Sequence, residues 1–392
     1  MSTQEAPAAA AAASRSRHRR GRSPGTAALT GVLIDTVAIV PARNEEIGVL
    51  TALRSLAGQT RRPDLIVVVV NNSSDRTEEF ARRFAAEPDS PETMVLNLPD
   101  NPHKKAGALN HGLRWLLAAA NGRLPNAVGH VLVMDADTEL HPRFIERARN
   151  VVDSDPNLGG VSAACLGRTG LWRSPWQRYL LGMQIIEYGR AASARYRHNI
   201  HTMSGAGSFY RAEALQSLID WRGEVFWEDH ANLVEDYETT LALKESGWTV
   251  TANQYCIAYT DLMPTLRELL QQRERWSRGT VDTLRRRGIT RFTWHSIMGL
   301  VFALLGFAYV LIFGSDQVIQ VARHHGNTFV PLFWVLLSFW VIYPALRVRS
   351  LGWKAMLVEA LLLPELVFTV VRAYWLLSSL VRSYFTGVSA WK

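Results

Sequence analysis

The sequence has few cysteines for its length. Only two, Cys165 and Cys256, occur among 392 residues, and both lie in apolar surroundings without the paired spacing of a metal site or a disulfide framework. A disulfide-stapled secreted domain and a zinc module are therefore excluded as the basis of the fold. Both thiols are expected to be reduced core residues of a cytoplasmic domain.

The sequence also lacks two kinds of signature. It contains no helix-turn-helix, zinc-finger or RNA-binding pattern, so nucleic acid is not an expected partner. Residues 1–30, rich in Ala, Ser, Arg and Pro, contain neither the apolar core of a secretory signal nor a periodicity that would bury a face. We expect a disordered basic arm there, with a basic amphipathic targeting segment as the alternative.

Positive charge is in modest excess and is concentrated in two places. Forty-three Lys and Arg against 35 Asp and Glu give a net charge of +8. Five Arg between positions 15 and 22, together with Arg285, Arg286 and Arg287, account for all of it. Because the second cluster adjoins an apolar stretch, membrane lipid with anionic headgroups is the expected partner of this charge.

Apolar strands alternate with helices between residues 31 and 290. Runs such as 37–41 and 65–70 are continuously apolar, as strands buried on both faces are. A helix is predicted after each of these runs, through 49–56 and from about 77, followed by strands at 94–98 and 128–134 with a helix at 106–119 between them. The pattern predicts an α/β domain over residues 31–290 with a mainly parallel sheet.

Polar side chains stand at the predicted carboxyl ends of these strands, which is where such sheets bind ligands. Asn71 and Asp75 follow the second strand, and Asp135-Ala136-Asp137 follows the strand at 128–134. Divalent cations such as Mg²⁺ and Mn²⁺ prefer carboxylate oxygens together with substrate phosphates. The Asp135/Asp137 pair therefore predicts a cation site, and a solvated acidic loop is the alternative.

Two further segments carry candidate chemistry. Glu235-Asp236 opens an amphipathic helix, where a carboxylate can remove the proton of an attacking hydroxyl; the alternative is a helix start favoured by negative charge. Lys104-Lys105 and Gly107 combine cations with a helix start made of small residues. They predict a cradle for a diphosphate, with a solvated basic turn as the alternative.

One helix, predicted at 264–284, presents an amide, a guanidinium and an indole together. Gln272, Arg275 and Trp276 occupy positions i, i+3 and i+4, so they share one face. Arg clamps anions with a planar fork of donors, and Trp offers a flat apolar surface to a sugar ring. This QxxRW pattern predicts a site for a sugar and a diphosphate, and an interfacial anchor before a membrane helix is the alternative.

Apolar sequence dominates residues 291–392 and predicts a membrane region. Two or three membrane helices are expected, at about 292–313, 329–346 and 355–380. The third stretch includes Glu359 and Arg372, so it either crosses the bilayer or lies partly in the interface. The flanking basic residues place the catalytic domain on the cytoplasmic side of a multi-pass membrane protein.

A mixed aromatic and aliphatic stretch at 171–192 also contains Arg and Gln. This composition is typical of a helix that lies on the membrane surface. An ordinary core helix fits the same stretch, and the sequence does not decide between the two.

Seven motifs in a fixed order carry a resemblance to a known family. They are VPARNEE (40–46), NNSSDRT (71–77), KAGALN (105–110), DAD (135–137), SGAGSFYR (204–211), EDYETT (235–240) and QRERW (272–276). With the apolar stretches that follow, they resemble the membrane-embedded family-2 glycosyltransferases, which include the synthases of cellulose, chitin, hyaluronan and poly-N-acetylglucosamine. The resemblance implies a GT-A fold and inverting transfer from a nucleotide-diphosphate sugar, most often a UDP-sugar, with Mg²⁺ or Mn²⁺.

The resemblance also implies a role for each matching residue. Asp236 becomes the catalytic base with Glu235 beside it, and Asp137 binds the metal. The residues implied in donor binding are Pro41, Arg43, Glu45, Asn71, Asp75, Lys105, Gly107 and Asp135, and those implied in holding the diphosphate and the acceptor sugar are Gln272, Arg275 and Trp276. Position 71 is a departure, since the family usually has Asp there to bind the base. The resemblance therefore leaves the identity of the nucleobase open, whereas it still implies sugar transfer.

We expect a hexosyltransferase that extends a polysaccharide processively, because in the family the QxxRW pattern accompanies polymerising members. Two or three membrane helices are too few to form a channel for the polymer unless subunits associate. A homo-oligomer is therefore one expected form. Single transfer to a lipid acceptor at the cytoplasmic membrane face stays open as the alternative. A catalytically inactive scaffold is disfavoured by the intact carboxylates at 135, 137 and 236.

Overall fold

The computed structural model describes residues 34–168, 174–194, 199–229, 232–322, 352–360 and 362–385, with the single residues 342, 346 and 349. The predicted arm at 1–30 and most of the predicted span at 329–346 lie outside these residues. The described strands are β1 (Ile34–Ala42), β2 (Leu65–Asn71), β3 (Glu92–Leu98), β4 (Val128–Val133), β5 (Glu139–Leu140), β6 (Leu158–Gly167), β7 (Ser208–Arg211) and β8 (Thr249–Thr260). They form one sheet in the order β3-β2-β1-β4-β7-β6-β8-β5.

The sheet is mixed, which corrects the prediction of a mainly parallel sheet. Strands β1 to β4 pair in parallel, as the alternation predicted, and β6 is parallel to β8. However, β7 runs antiparallel to both β4 and β6, and β5 runs antiparallel to β8. The sequence did not predict β7 because it is only four residues long and directly follows a small-residue loop.

Helices cover both faces of the sheet because its inner strands are buried on both sides. Val37 and Ile39 of β1 belong to one apolar core, and the intervening Ala38 and Val40 belong to the other. The described helices are α1 (Val49–Ala57), α2 (Thr77–Ala85), α3 (Lys104–Ala119), α4 (Phe144–Asp153), α5 (Pro175–Ala194), α6 (Ala212–Arg222), α7 (Glu235–Glu245), α8 (Leu266–Arg287), α9 (Trp294–Ala322), α10 (Trp353–Ala360) and α11 (Leu362–Phe385). Helices α3, α6 and α7 line the first core, and α1, α2 and α4 line the second.

The helix that carries QxxRW is fixed at its start and along its side. A capping box begins α8, in which the Thr265 hydroxyl accepts from the Glu268 backbone N–H and the Glu268 carboxylate accepts from that of Thr265, both at 3.2 Å. Helices α5, α8 and α11 share an apolar cluster formed by Leu180, Met183, Ile186, Leu269, Phe368 and Trp375. One face of α5 is therefore buried in a core, and the interpretation of the stretch at 171–192 as a helix on the membrane surface stays a prediction.

Helices of the C-terminal region were expected to cross a bilayer. In the described part of the chain, no helix has both the length and the apolar character needed to span a membrane. The predicted span at 292–313 falls largely on α9. The predicted span at 355–380 is divided between α10 and α11, and α11 packs one face against α8, with the Ser379 hydroxyl donating to the Glu274 carbonyl at 3.2 Å.

Candidate active site

A cavity of about 540 Å³ opens beyond the carboxyl ends of β1, β2 and β4. Strands, loops and helices from distant parts of the sequence contribute to its wall. Of the site residues predicted from the sequence, those that line it are Pro41, Arg43, Glu45, Asn71, Lys105, Asp135, Asp137, Glu235, Asp236, Gln272, Arg275 and Trp276. The structure thus brings these side chains to one shared cavity.

Two predicted donor-binding residues, Asp75 and Gly107, are absent from the cavity lining. The Asp75 carboxylate accepts from the Glu46 backbone N–H at 3.0 Å and from the Thr77 hydroxyl at 2.5 Å, which joins the loop after β1 to the loop after β2. At Gly107, a Cβ atom would lie 2.4 Å from Asn101 Oδ1. Both residues therefore shape the loops around the cavity.

Asn71 is held by a network of asparagines. Its Oδ1 accepts from Asn101 Nδ2 at 2.8 Å, and its Nδ2 donates to the Lys104 carbonyl at 3.1 Å. Asn72 and Asn101 also exchange two side chain to backbone hydrogen bonds of 2.8 Å. Since Asn71 is only 4% exposed, its amide mainly ties the end of β2 to the loop before α3.

Lys105 bridges the two acidic motifs. Its Nζ lies 2.5 Å from Asp135 Oδ1 and 2.8 Å from Glu235 Oε1. Burial alone would lower the pKa of Lys105, but the two carboxylates raise it above its usual value. Burial likewise opposes ionisation of Glu235, and Lys105 outweighs it, so the pKa of Glu235 is lowered. Lys105 is therefore a fixed positive charge between β4 and α7.

Three carboxylates crowd the other side of the cavity. Burial, and then the charges of Asp137 and Asp135, raise the pKa of Glu45 to about 7. Burial, and then Asp135, raise the pKa of Asp137 to about 6. A divalent cation would relieve this repulsion. Within the described residues, no cluster of three or more His, Cys, Asp or Glu could hold a metal by itself, so a cation would need substrate oxygens beside Asp137.

Asp236 is the buried carboxylate that faces the cavity from the start of α7. Its Oδ2 accepts from the Gly205 backbone N–H at 3.0 Å, and its Oδ1 accepts from the Tyr237 backbone N–H at 2.7 Å. Burial, and then the neighbouring Glu235 carboxylate, raise the pKa of Asp236 to about 6. The side chain is oriented by the backbone and retains basicity near neutral pH, as a general base requires.

Helix α8, which carries the QxxRW pattern, forms another wall of the cavity. Arg273, the second residue of that pattern, contacts Gln272 and Trp276. Arg273 is 3% exposed; it pairs with Glu187 of α5 at 3.0 Å and donates to Gln272 Oε1 at 2.7 Å. Its guanidinium also lies over the Trp276 ring at 4.3 Å and over the Tyr188 ring at 5.5 Å. Arg273 therefore links Gln272 and Trp276 of α8 to α5.

Several cavity residues were missed by sequence reasoning. Arg273 stands at a variable position of the QxxRW pattern, and Glu187 and Tyr188 are part of a stretch interpreted only by its composition. Gly205 is within the recognised SGAGSFYR motif, but its contact with Asp236 depends on tertiary structure. Gly279 permits a close approach, because a Cβ atom there would lie 2.8 Å from Val234 Cγ1, two residues before Asp236. The only sequence signal for Gly279 was its position three residues after the QxxRW pattern.

The mixed sheet and this cavity define a GT-A-like glycosyltransferase fold. The family described as glycosyltransferase like family 2 matches residues 35–279, and the chain belongs to this family. The predicted family is thereby confirmed. Its membrane-embedded branch and the individual site roles stay predictions.

Relatives found by sequence similarity agree with this assignment. The chain is 27% identical over 295 residues to an N-acetylglucosaminyltransferase of Rhizobium meliloti, which covers 72% of this chain and 66% of the relative. It is 25% identical over 256 residues to the UDP-forming cellulose synthase 1 catalytic subunit of Komagataeibacter xylinus, covering 63% and 31%. The chain thus spans less than two thirds of the length of either relative.

The fold is also found in a solved structure. The mannosyltransferase PcManGT from Pyrobaculum calidifontis, in complex with GDP-Man and Mn²⁺, superposes with a TM-score of 0.57. At 18% identity the match covers 91% of this chain and 89% of PcManGT. This similarity shows the shared fold.

Proposed function

We propose that the chain is an inverting glycosyltransferase that moves a sugar from a UDP-sugar onto a growing polysaccharide. The observation that carries the proposal is the convergence of Asp236, Arg275 and Trp276 on one cavity. A carboxylate base, a cation for the leaving diphosphate and a flat surface for a sugar are the groups that this reaction needs. The relatives named above include a polysaccharide synthase, which favours a polymeric product.

The mechanism uses the residues in their observed places. Trp276 stacks on the acceptor sugar, and Asp236 removes the proton from its attacking hydroxyl as the hydroxyl oxygen bonds to the anomeric carbon of the donor. The bond between that carbon and the diphosphate breaks at the same time. Lys105 and Arg275 stabilise the negative charge on the departing diphosphate. A single displacement without a covalent intermediate inverts the anomeric configuration.

Mg²⁺ or Mn²⁺ is the proposed cofactor, and the residues present fit it. Asp137 would hold the cation, with Asp135 and Glu45 close enough to share its charge. When bound, the cation would supply positive charge at the diphosphate. Burial, together with repulsion from neighbouring carboxylates, raises the pKa values of Glu45 and Asp137, which supports a bound cation beside them.

Substitution of Asp137 by Ala should weaken donor binding only when metal is present. The variant removes the proposed metal ligand, so we expect UDP affinity in Mn²⁺ to fall by about tenfold, one lost charge-assisted contact. UDP affinity in chelator should not change. Calorimetry with and without Mn²⁺ measures both values, and Asp89→Ala, at an exposed turn, is the matched control. An equal loss in chelator would contradict the assigned metal role.

Turnover should decline as the pH falls through about 6. The pKa of Asp236 is raised to about 6, so the carboxylate becomes protonated below that pH and no longer accepts a proton. Glu235 and Asp236 titrate as a pair, so the fall of kcat at low pH gives an apparent pKa of the pair. The measurement is kcat against pH at saturating donor and metal. A kcat that stays constant down to about pH 4, the ordinary carboxyl range, would contradict this role for Asp236.

Membrane attachment through residues 291–392, with the catalytic domain in the cytoplasm, belongs to the same proposal. Its support is the exposure of large apolar side chains on the C-terminal helices. Those on α9 and α11 are Trp294, Val301, Phe302, Leu305, Ile312, Ile319, Val367, Val370, Tyr374, Leu377, Val381, Tyr384 and Phe385. Membrane lipid is the partner that would cover them, and association of subunits is a further way to cover part of this surface.

Product size tests the proposed reaction. Purified protein is incubated with labelled UDP-glucose, UDP-N-acetylglucosamine or UDP-glucuronate, and the products are separated by gel filtration and lipid extraction. A polymer supports the proposal. A chloroform-soluble product with one sugar would replace it with single transfer to a lipid, and the absence of transfer from every donor would overturn both.

A further inference from the structure

One buried cation outside the cavity has no carboxylate partner. Lys244, in the last turn of α7, is 7% exposed and forms no ion pair with any residue in the described part of the chain. The carboxylates of the same helix are engaged elsewhere, since Glu238 pairs with Arg222 and Arg287, and Glu245 pairs with Arg287. Burial without a counter-charge lowers the pKa of Lys244 to about 8.

His201 lies near this lysine, and His295 lies beside His201. Thr240, one helical turn before Lys244, accepts from the Met203 backbone N–H at 3.0 Å, which places the segment 199–203 along α7. Burial, and then the positive charges of Lys244 and His295, lower the pKa of His201. The His201 and His295 ring centroids are 5.5 Å apart. Both histidines are exposed, so solvent reaches the cluster.

The start of α9 adds to the same positive region. His295 lies in the first turn of this helix, where backbone N–H groups without helical partners carry partial positive charge. Farther along, α9 exposes Phe302 and Leu305, at 65% and 59%. A ligand with an anionic end and an apolar remainder matches this order of features.

We propose that Lys244, His201 and His295 bind a phosphate group at the base of α9. Lys244 supplies a charge-assisted donor, and the two imidazoles supply ring N–H donors. The phosphate belongs either to the headgroup of an anionic lipid or to free phosphate. The lipid source rests on the proposed membrane attachment, whereas neither source depends on sugar transfer.

Vesicle binding by the full-length protein tests the lipid source. Lys244→Met removes the charge and keeps an unbranched side chain that is one atom shorter. We expect it to lower affinity for vesicles that contain phosphatidylglycerol by about fivefold, the effect of one basic residue near an anionic surface. Binding to phosphatidylcholine alone should not change. Arg83→Met removes one exposed charge on α2 as the matched control, and Lys244→Arg should bind like the wild type.

Thermal unfolding in inorganic phosphate tests the free-phosphate source. A phosphate-dependent rise in Tm that is lost in Lys244→Met, with unchanged vesicle binding, would support free phosphate as the ligand. The site is overturned if Lys244→Met matches the wild type in both measurements, or if Lys244→Arg fails as Lys244→Met does. Lys244→Met removes an uncompensated buried charge, so its Tm without phosphate should not fall. Both readouts are independent of whether a polymer is made.

Discussion

Substitution of Asp236 by Asn should lower turnover by roughly 10²-fold or more and leave donor affinity unchanged. The amide has nearly the same shape as the carboxylate, although its single oxygen accepts from only one of the two backbone N–H groups, of Gly205 and Tyr237, that the carboxylate binds. It does not take up the proton of an attacking hydroxyl. The expected loss corresponds to about 2.7 kcal/mol of transition-state stabilisation.

Single-turnover kinetics at saturating donor, together with calorimetry of UDP binding, separate this effect from misfolding. Asp89→Asn makes the same chemical change at an exposed turn and should behave like the wild type. Turnover of Asp236→Asn close to the wild-type value would remove Asp236 from its role as base. A comparable loss of UDP affinity would point instead to disruption of the Lys105–Glu235 pair beside it.

The part of the fold that forms the cavity edge at β1, β2 and β4 could be predicted because its signals are local. β2 is apolar from Leu65 to Val70, and the later parts of β1 (37–40) and β4 (131–133) are apolar runs. Each strand is followed by a polar or proline-containing segment that cannot continue a buried strand. Parallel strands bring their carboxyl ends to one edge of the sheet. The shared location of Pro41, Asn71 and Asp135 followed from this rule.

The antiparallel part of the sheet could not be predicted in the same way. β7 has four residues, and its place between β4 and β6 is set by pairing with strands on either side of it. Such pairing depends on residues far away in the sequence, which no local pattern records. The Gly205 N–H that orients Asp236 lies in the loop before β7, so this feature of the candidate site was also not predictable.

The same limit applies to the charged contacts of the site. Lys105 was predicted as part of a diphosphate cradle, but its position between Asp135 and Glu235 joins three separate motifs. Asp75 was predicted to bind the donor, and it braces two loops through Glu46 and Thr77. Residue type and motif indicate that a group belongs near the site. Only the tertiary structure distinguishes lining the cavity from supporting it.

Arg273 is the strongest example of a supporting residue, and its removal should raise the acceptor KM by about tenfold. Without its guanidinium, Trp276 loses the cation against its ring, an interaction of about 1–2 kcal/mol when desolvated. Gln272 also loses a charge-assisted donor. Both changes release Gln272 and Trp276, the proposed acceptor residues, whereas Lys105 and Asp137, the proposed residues for the sugar-nucleotide donor, keep their places. We therefore expect Arg273→Met to leave UDP affinity unchanged.

The variant should also be less stable, because Glu187 loses its partner. Glu187 is one third exposed, so water compensates part of the loss, and we expect a cost of about 2 kcal/mol. Arg267→Met, at an exposed position of α8, is the matched control. Arg273→Lys keeps the charge without the planar surface that stacks on Trp276, so it should regain stability more than acceptor affinity. If Tm falls while the acceptor KM is unchanged, Arg273 holds α8 against α5 but does not position Gln272 and Trp276 for the acceptor.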